Sequence, residues 1–559
     1  MTDAARVPRR CSRALASTLL GLGIVAGVPG RLVAQDPTWS TCDPRPGRSC
    51  GGRALTRGES AEIEALYNAP ATRRVQGAFA LAADSVVGSA LAVLGGPVRI
   101  AGRVDGSLLV LNGDVALEAT AVITGDVAVL GGRLERAEGA RTGSVRAEPD
   151  SVVYGRLAAT RTYNRVEGWP IEFGPRLRWR TTWGTLAADA FGIIRTGDRL
   201  RLDGNHIGHD AKLELRFGRD ERVTIGTRVY DVVAPVEDWQ LSEVEVGLAS
   251  FLFTSDYRDY FDRHGTALEA SWQAASSLRL TGALRAEDWR PRRTLDPLSI
   301  FRADEAWRPN PQYEAGDWTI TALGATYDTR SAPERPRTGW FVQGAYEYGR
   351  GRVESYLPDG PTATLPPVPA RIGYGRAQLD LRRYTRISPA SQLNARLFLA
   401  GWVHGDPLPL QRRLSLSGPG AMPAFDFRQA ITTPDRLQCS SAAFTFSGTP
   451  ALCDRAALLS LDYRHDIRWL VDLLDAPRFV RTDRSGAAGW VLFTDVGRGW
   501  LVNPRAPRAP VPGAPSGLAA LHASVGLGLE LYQGGIYVAK ALGSPSPGPN
   551  VFLRLVRRF

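Results

Sequence analysis

Lysine is almost missing from this chain. Of 68 basic residues only Lys212 and Lys540 are lysines, and the formal net charge of +11 is carried by arginine. Two isolated lysines exclude a phosphate-binding loop, which needs a lysine directly after a glycine-rich turn. Long hydrophobic runs are missing too. Beyond the amino-terminus no stretch approaches the roughly 20 continuous apolar residues that a membrane-crossing helix needs, which excludes helical insertion. Cysteine is scarce, five in 559 residues, and no CxxC spacing or neighbouring histidine accompanies it, which argues against a zinc site. No serine, histidine and carboxylate set assembles by spacing. The chain therefore reads as a non-enzyme with no cofactor and no metal.

What is present begins with a secretory pattern. Arg6, Arg9, Arg10 and Arg13 precede a small-residue apolar run from Ala14 to Val28, and processing is expected near Val33-Ala34-Gln35, so that residues 1–35 form a signal peptide. Cys11 falls inside the basic region and Cys42 comes too late for a lipid anchor at the cleavage point. Cleavage leaves two sequence-near pairs, Cys42 with Cys50 and Cys439 with Cys453, and short-range pairs in an exported chain point to disulfides. Export, and the scatter of arginine along alternating segments, argue against a nucleic-acid partner. Arginines lining a wet lumen or meeting anionic lipid head groups fit the composition better.

Residues 36–79 read as a lead-in segment with one short helix, Glu59 to Tyr67. Gly47-Arg-Ser-Cys-Gly51 matches the form of a nucleophile elbow but lacks the strand before it and the helix after it, so a turn between paired cysteines explains it better. From about residue 80 to 150 a repeat appears: Leu91-Ala-Val-Leu-Gly-Gly96, Leu108-Leu-Val-Leu-Asn-Gly113 and Val127-Ala-Val-Leu-Gly-Gly132. Short aliphatic strands punctuated by glycine at near-constant spacing suit a parallel β-helix, with a β-sandwich as the alternative. The segment resembles the bactofilin-like, polymer-forming β-helix family.

From about residue 160 to 559 the period is two. Leu213, Leu215 and Phe217 alternate with Lys212, Glu214 and Arg216; Leu278, Leu280 and Leu284 with Arg279, Thr281 and Arg285; Leu459, Leu461 and Tyr463 with Ser460, Asp462 and Arg464. A face that carries Arg, Asp and Glu along the whole strand fits a lumen rather than a soluble core. Trp179, Trp183, Trp289, Trp318, Trp340, Tyr346, Trp402, Trp490 and Trp500 are expected near strand ends as an aromatic girdle. At about 25 residues per strand and connection, the region makes about 16 strands. The fold class expected is all-β: a transmembrane antiparallel barrel with a small N-terminal periplasmic β-helix. His206-Ile-Gly-His209 reads as a solvated turn. Asp256, Asp259 and Asp262 with His264 read as a charged loop or a divalent-bridged lipopolysaccharide contact.

Four stretches resemble the BamA/TamA-type surface-antigen barrels: Leu323 to Arg330 with Pro336 to Trp340, Leu414 to Arg428 with Gly418, Gly420 and Phe425, Phe493-Thr-Asp495-Val-Gly497, and Gly526 to Glu530 before the terminal Phe559. The resemblance implies an inward-folded loop whose arginine meets Asp495 inside the barrel. Here the tip reads Met422-Pro-Ala-Phe425, and Arg428 is the nearest candidate partner. It also implies a last strand, Val551 to Phe559, that pairs with the first, with Leu553, Leu555 and Phe559 as closure and assembly signal. Arg557 then occupies an outward slot. The alternating αβ modules that precede such barrels have no counterpart in 36–160. The function expected is transport or assembly of protein or lipid at the outer membrane. The alternatives are a structural anchor for a self-associating or cell-wall-binding β-helix, or a small-solute channel. Expected partners are outer-membrane lipid, lipopolysaccharide, the barrel assembly machinery during biogenesis, and a periplasmic protein or a second copy at the β-helix.

Overall fold

The structure is a computed structural model. It describes residues 57–130, 132, 134–147, 151–159, 162–181, 183–197, 203–218, 221–302, 305–310, 314–333, 335–356, 368–425, 452–467, 488–502, 521–531, 534–543 and 548–559. The region read as a signal peptide, the Gly47–Gly51 turn, Cys42, Cys50, Cys439 and Arg428 lie outside these residues.

A helix, α1 (Arg57–Asn68), leads into a solenoid. The first coil is β1 (Arg73–Gln76), β2 (Phe79–Leu81) and β3 (Val86–Val87); the second is β4 (Leu91–Leu94), β5 (Val98–Ile100) and β6 (Arg103–Val104). The third is β7 (Leu108–Leu111), β8 (Val115–Leu117) and β9 (Val122–Ile123), followed by β10 (Val127–Leu130), β11 (Leu134–Arg136) and β12 (Val145–Ala147). Equivalent strands stack in parallel ladders, Leu91 on Leu108 on Val127 on Val145, which makes this a β-helix and not a sandwich. The first coil starts at Arg73, inside the stretch read as lead-in.

Aliphatic side chains fill the axis: Leu91, Val93, Ile100, Val104, Leu108, Val110, Val127 and Val129 are all buried in one cluster. The glycines of the repeat have a steric cause. A Cβ at Gly113 would come within 1.9 Å of the Gly96 carbonyl oxygen, and one at Gly132 within 1.9 Å of the Gly113 oxygen. Only glycine lets the coils stack at that corner. Ile63, Leu66 and Tyr67 of α1 cover the outer face of the β4, β7 and β10 sheet through Ala92, Leu109 and Ala128.

Sixteen antiparallel strands follow in chain order in one sheet. They are β13 (Ser151–Ala159), β14 (Pro170–Arg180), β15 (Gly184–Arg195), β16 (Ile207–Phe217), β17 (Val223–Pro235), β18 (Tyr260–Ala275), β19 (Leu278–Pro291) and β20 (Gly316–Asp328). Then come β21 (Gly339–Tyr356), β22 (Val368–Arg386), β23 (Ser391–Gly405), β24 (Arg455–Asp466), β25 (Ala488–Trp500), β26 (His522–Leu531), β27 (Gly534–Leu542) and β28 (Asn550–Arg554). Connections alternate in length. One end of the sheet joins its strands through short connections such as 276–277; the other does so through long ones such as 236–259. The loop 236–259 contains a second helix, α2 (Glu243–Phe253).

Leu213, Leu268, Leu284, Leu323, Leu393, Leu459 and Leu527 are exposed on the outward face, an apolar belt of the kind a lipid-facing barrel needs. The inward face is laced with ion pairs, including Arg228–Asp210, Arg263–Glu287 and Arg396–Asp380. Trp179, Trp183 and Trp340 are exposed beside the turn end, as a girdle requires. Trp289, Trp318 and Trp402 are not girdle residues: they are 0%, 2% and 4% exposed and face the lumen. The expectation failed because strand-end position alone does not say which face an aromatic occupies.

Among the described residues no ladder joins β28 to β13, and the terminal strand stops at Arg554 rather than Phe559.

Candidate functional site: a filled lumen and an unladdered seam

Residues 406–425, the described first part of the connection between β23 and β24, fold into the lumen. Arg412, in a short 3-10 turn (Leu410–Arg412), bonds through Nε to Glu347 Oε1 at 2.7 Å and lies 4.3 Å from the ring centre of Trp289. Trp289 stacks on Trp318 with centres 4.5 Å apart. Glu347 also takes Arg376 and the hydroxyl of Tyr374. One inward carboxylate thus gathers two guanidiniums and a phenol around the root of the loop.

Further along, the loop 236–259 meets this plug. The backbone N–H of Ser415 donates to Glu237 at 2.5 Å, the Gln240 side chain donates to the Ser415 carbonyl at 2.6 Å, and Trp239 stacks on Phe398 at 4.1 Å. At Gly420 a Cβ would fall 2.0 Å from the Gln240 carbonyl oxygen, so the two loops touch backbone to backbone. Gly418 sits at φ 119°, in the region that favours glycine. The tip is buried: Met422 is fully covered and Phe425 nearly so, its ring edge-on to His522. A Cβ on Gly497 would lie 2.8 Å from the Met422 sulfur, which explains why the strand motif ends in glycine.

Asp495 is fully buried, and its cation among the described residues is Arg558, with Nη2 2.6 Å from Oδ1. Arg558 also reaches Asp462 at 3.3 Å and stands 3.8 Å from the centre of the Phe493 ring. Beside it, Glu530 accepts from Tyr537 and pairs with Arg464 at 3.2 Å and Arg557 at 3.4 Å. Arg557 therefore turns toward the lumen instead of holding an outward slot. Asp462, Asp495 and Glu530 are matched by Arg464, Arg557 and Arg558. Among the described residues Arg558 supplies this compensation; Arg428, the expected partner, lies outside them. Leu553 remains on the outward face at 64% exposure, Leu555 is exposed beyond the strand end, and Phe559 is half-buried.

The tail beyond β28 is anchored to the second helix. Glu245 of α2 receives Arg554 Nε at 2.7 Å and the backbone N–H groups of Leu555 at 2.9 Å and Val556 at 3.4 Å. The first two backbone N–H groups after β28 are thus taken by a side chain rather than by a neighbouring strand. Glu245 also closes a capping box with Ser242, which starts the helix. Burial pushes the Glu245 carboxyl up, but Arg554 beside it, together with its hydrogen bonds, outweighs this and holds the group below the usual carboxylate range.

On the opposite flank of α2, a Cβ at Gly247 would meet Thr162 at 3.1 Å, and Phe251 packs edge-on to Tyr163 in the connection after β13. Val246 and Ser250 are buried, whereas Val244 and Leu248, one turn apart, are exposed. At 100° per residue these four positions give α2 an inner face, an outer apolar face and two flanks. The helix stands between the tail after β28 and the connection after β13. Sequence reading overlooked it, although Ser242-Glu-Val-Glu245 before an apolar run is a legible helix start.

The other candidates are structural. Asp256 and Asp259 are buried around Arg165, at 3.2 and 2.6 Å, and Asp262 pairs with Arg292 at 3.0 Å. His206 is buried against Asp203 at 2.6 Å, and His209 packs on His264. Among the described residues no group of three or more His, Cys, Asp or Glu is placed to hold a metal ion. Cys453 is buried and disulfide-bonded.

No family model and no curated protein matches the chain. Among solved structures it is similar to BamA from Haemophilus ducreyi lacking POTRA domains 1–3, at 11% identity and a TM-score of 0.40, over 74% of this chain and 72% of that one. It is also similar to CdiB from Acinetobacter baumannii (12%, TM-score 0.30, 71% of this chain) and CdiB from Escherichia coli (11%, TM-score 0.32, 74% of this chain). The chain spans 56% and 63% of the length of those two.

Proposed function

We propose that the chain is exported and acts as an outer-membrane barrel in the transport or assembly of protein or lipid, using its seam rather than an open pore. The apolar belt, the alternation of short turns and long loops, and the inward ion pairs support the location. The observation that carries the role is the pairing of a filled lumen with a seam held by one helix. Arg412, Ser415 and Met422 close the path a solute channel needs. Meanwhile no ladder joins β28 to β13 among the described residues, the tail after β28 is held through Glu245, and side-chain contacts of that kind part more readily than a full strand pairing. The β-helix, on the periplasmic side, is the docking piece for a partner protein or a second copy. Depletion of the protein tests this reading: the outer membrane then loses specific proteins or lipid species, measured by quantitative proteomics and lipid extraction. Unchanged outer-membrane composition would count against it.

A further inference from the structure

We propose that the outward face of β20 to β22, at the loop end of the barrel, binds the phosphorylated headgroup of an acylated lipid. Arg352 on β21 and Arg371 on β22 are direct cross-strand partners, and Arg350 lies two residues from Arg352 on the same face. All three are exposed, and among the described residues none makes an ion pair. Like charges directly opposite in a ladder repel. The inward arginines at Glu347, Asp380 and Asp495 are matched by carboxylates, whereas this outward trio, with two of its members directly opposed, is a cation cluster without a paired anion among the described residues. Asp317, across the ladder from Arg352 on β20, forms no ion pair with it among the described residues, and Asp406 is engaged by the backbone N–H of Gly373 at 2.8 Å.

The cluster lines an open groove of about 900 Å³. Its floor includes Gly373, where a Cβ would lie 3.8 Å from Arg350 Cγ and 3.9 Å from the Tyr348 hydroxyl, so the wall has no side chain there and the two longer residues lean over it. The level of the groove specifies the ligand. Arg352 shares its rung with Asp317 and Asp288, and Asp288 lies four residues beyond Leu284 on β19. With strands rising about 3.4 Å per residue and tilted by about 40°, this rung crosses β19 about 10 Å beyond the exposed Leu284. Acyl chains resting on that leucine surface would bring their headgroup phosphates to the guanidiniums, whose planar donors suit phosphate oxygens in paired contacts. Tyr348, packed near His404, occupies the boundary between the two zones.

This inference rests on the barrel's placement in an outer membrane but not on any transport activity. The test is titration of full-length protein in nonionic detergent with diphosphoryl lipid A, followed by native mass spectrometry. Its arms are phosphate-free lipid A, millimolar inorganic phosphate as competitor, the variant R350Q/R352Q/R371Q, and its charge-retaining counterpart R350K/R352K/R371K. The expected result is binding that weakens about tenfold or more without the phosphates or with the glutamine variant. The lysine variant keeps part of the affinity, and inorganic phosphate does not compete. Heat-modifiability reports that each variant is folded. Equal binding of the phosphate-free lipid, or undiminished binding by a folded glutamine variant, would overturn the proposal. Full competition by inorganic phosphate would overturn the lipid assignment. Loss of transport with lipid binding intact, or the reverse, separates this inference from the proposed function.

Discussion

Arg558, one residue from the carboxy-terminus, ends 2.6 Å from Asp495 in the middle of β25 and lies over the Phe493 ring. The tail after β28 is thereby part of the lumen's charge network and not a free end.

Removing that cation leaves Asp495 and Asp462, both 0% exposed, without their shared partner. R558A is expected to destabilise the folded barrel by about 3–5 kcal/mol, the cost of an uncompensated buried charge. The gel-shift midpoint on heating reads this directly. D495N introduced into R558A restores part of the loss; additive effects of the two substitutions would contradict the pairing.

The Glu245 contact makes the seam sensitive to acid. Its carboxyl lies below the ordinary value of 4.5 in the folded protein, so the stability it contributes is complete above that value and is lost as pH falls through the lower folded value. Hydrogen exchange at the amides of Leu555 and Val556 is expected to speed up below about pH 4.5 after correction for intrinsic rates. E245Q shows the faster exchange already at pH 7, with little further dependence on acid.

The corner glycines of the β-helix carry a separate prediction. G113A places a methyl 1.9 Å from the Gly96 carbonyl oxygen, so the coils must part. A loss of about 3 kcal/mol or more is expected from backbone displacement in a packed core. It is measured as earlier proteolysis within residues 73–147, while the barrel's heat-modifiability stays unchanged.

Much of this architecture was legible in the sequence because two periods mark it. Glycine-punctuated Val and Leu runs identified the solenoid, and the alternation of Leu213 with Lys212 and Glu214 identified a wall with two unlike faces. Alternation does not say how the lumen is filled. Trp289, Trp318 and Trp402 read as girdle residues until the plug showed them facing Arg412 and the loop root. The tail was misread for a related reason. Strand parity puts Arg557 outside, but Glu530, far away in sequence, draws it in. No motif linked Arg558 or Glu245 to their partners, which come from β24 and β25 and from β28 and its tail, and only the fold brings them together.

Whether the barrel is closed to passive diffusion by its own loop can be read from single-channel conductance in planar bilayers. The intact protein is expected to give small, flickering events. R412A, which leaves Glu347 with one guanidinium fewer and frees the loop root from Trp289, is expected to give larger and longer openings. Large steady openings from the intact protein, unchanged in R412A, would contradict closure by the loop.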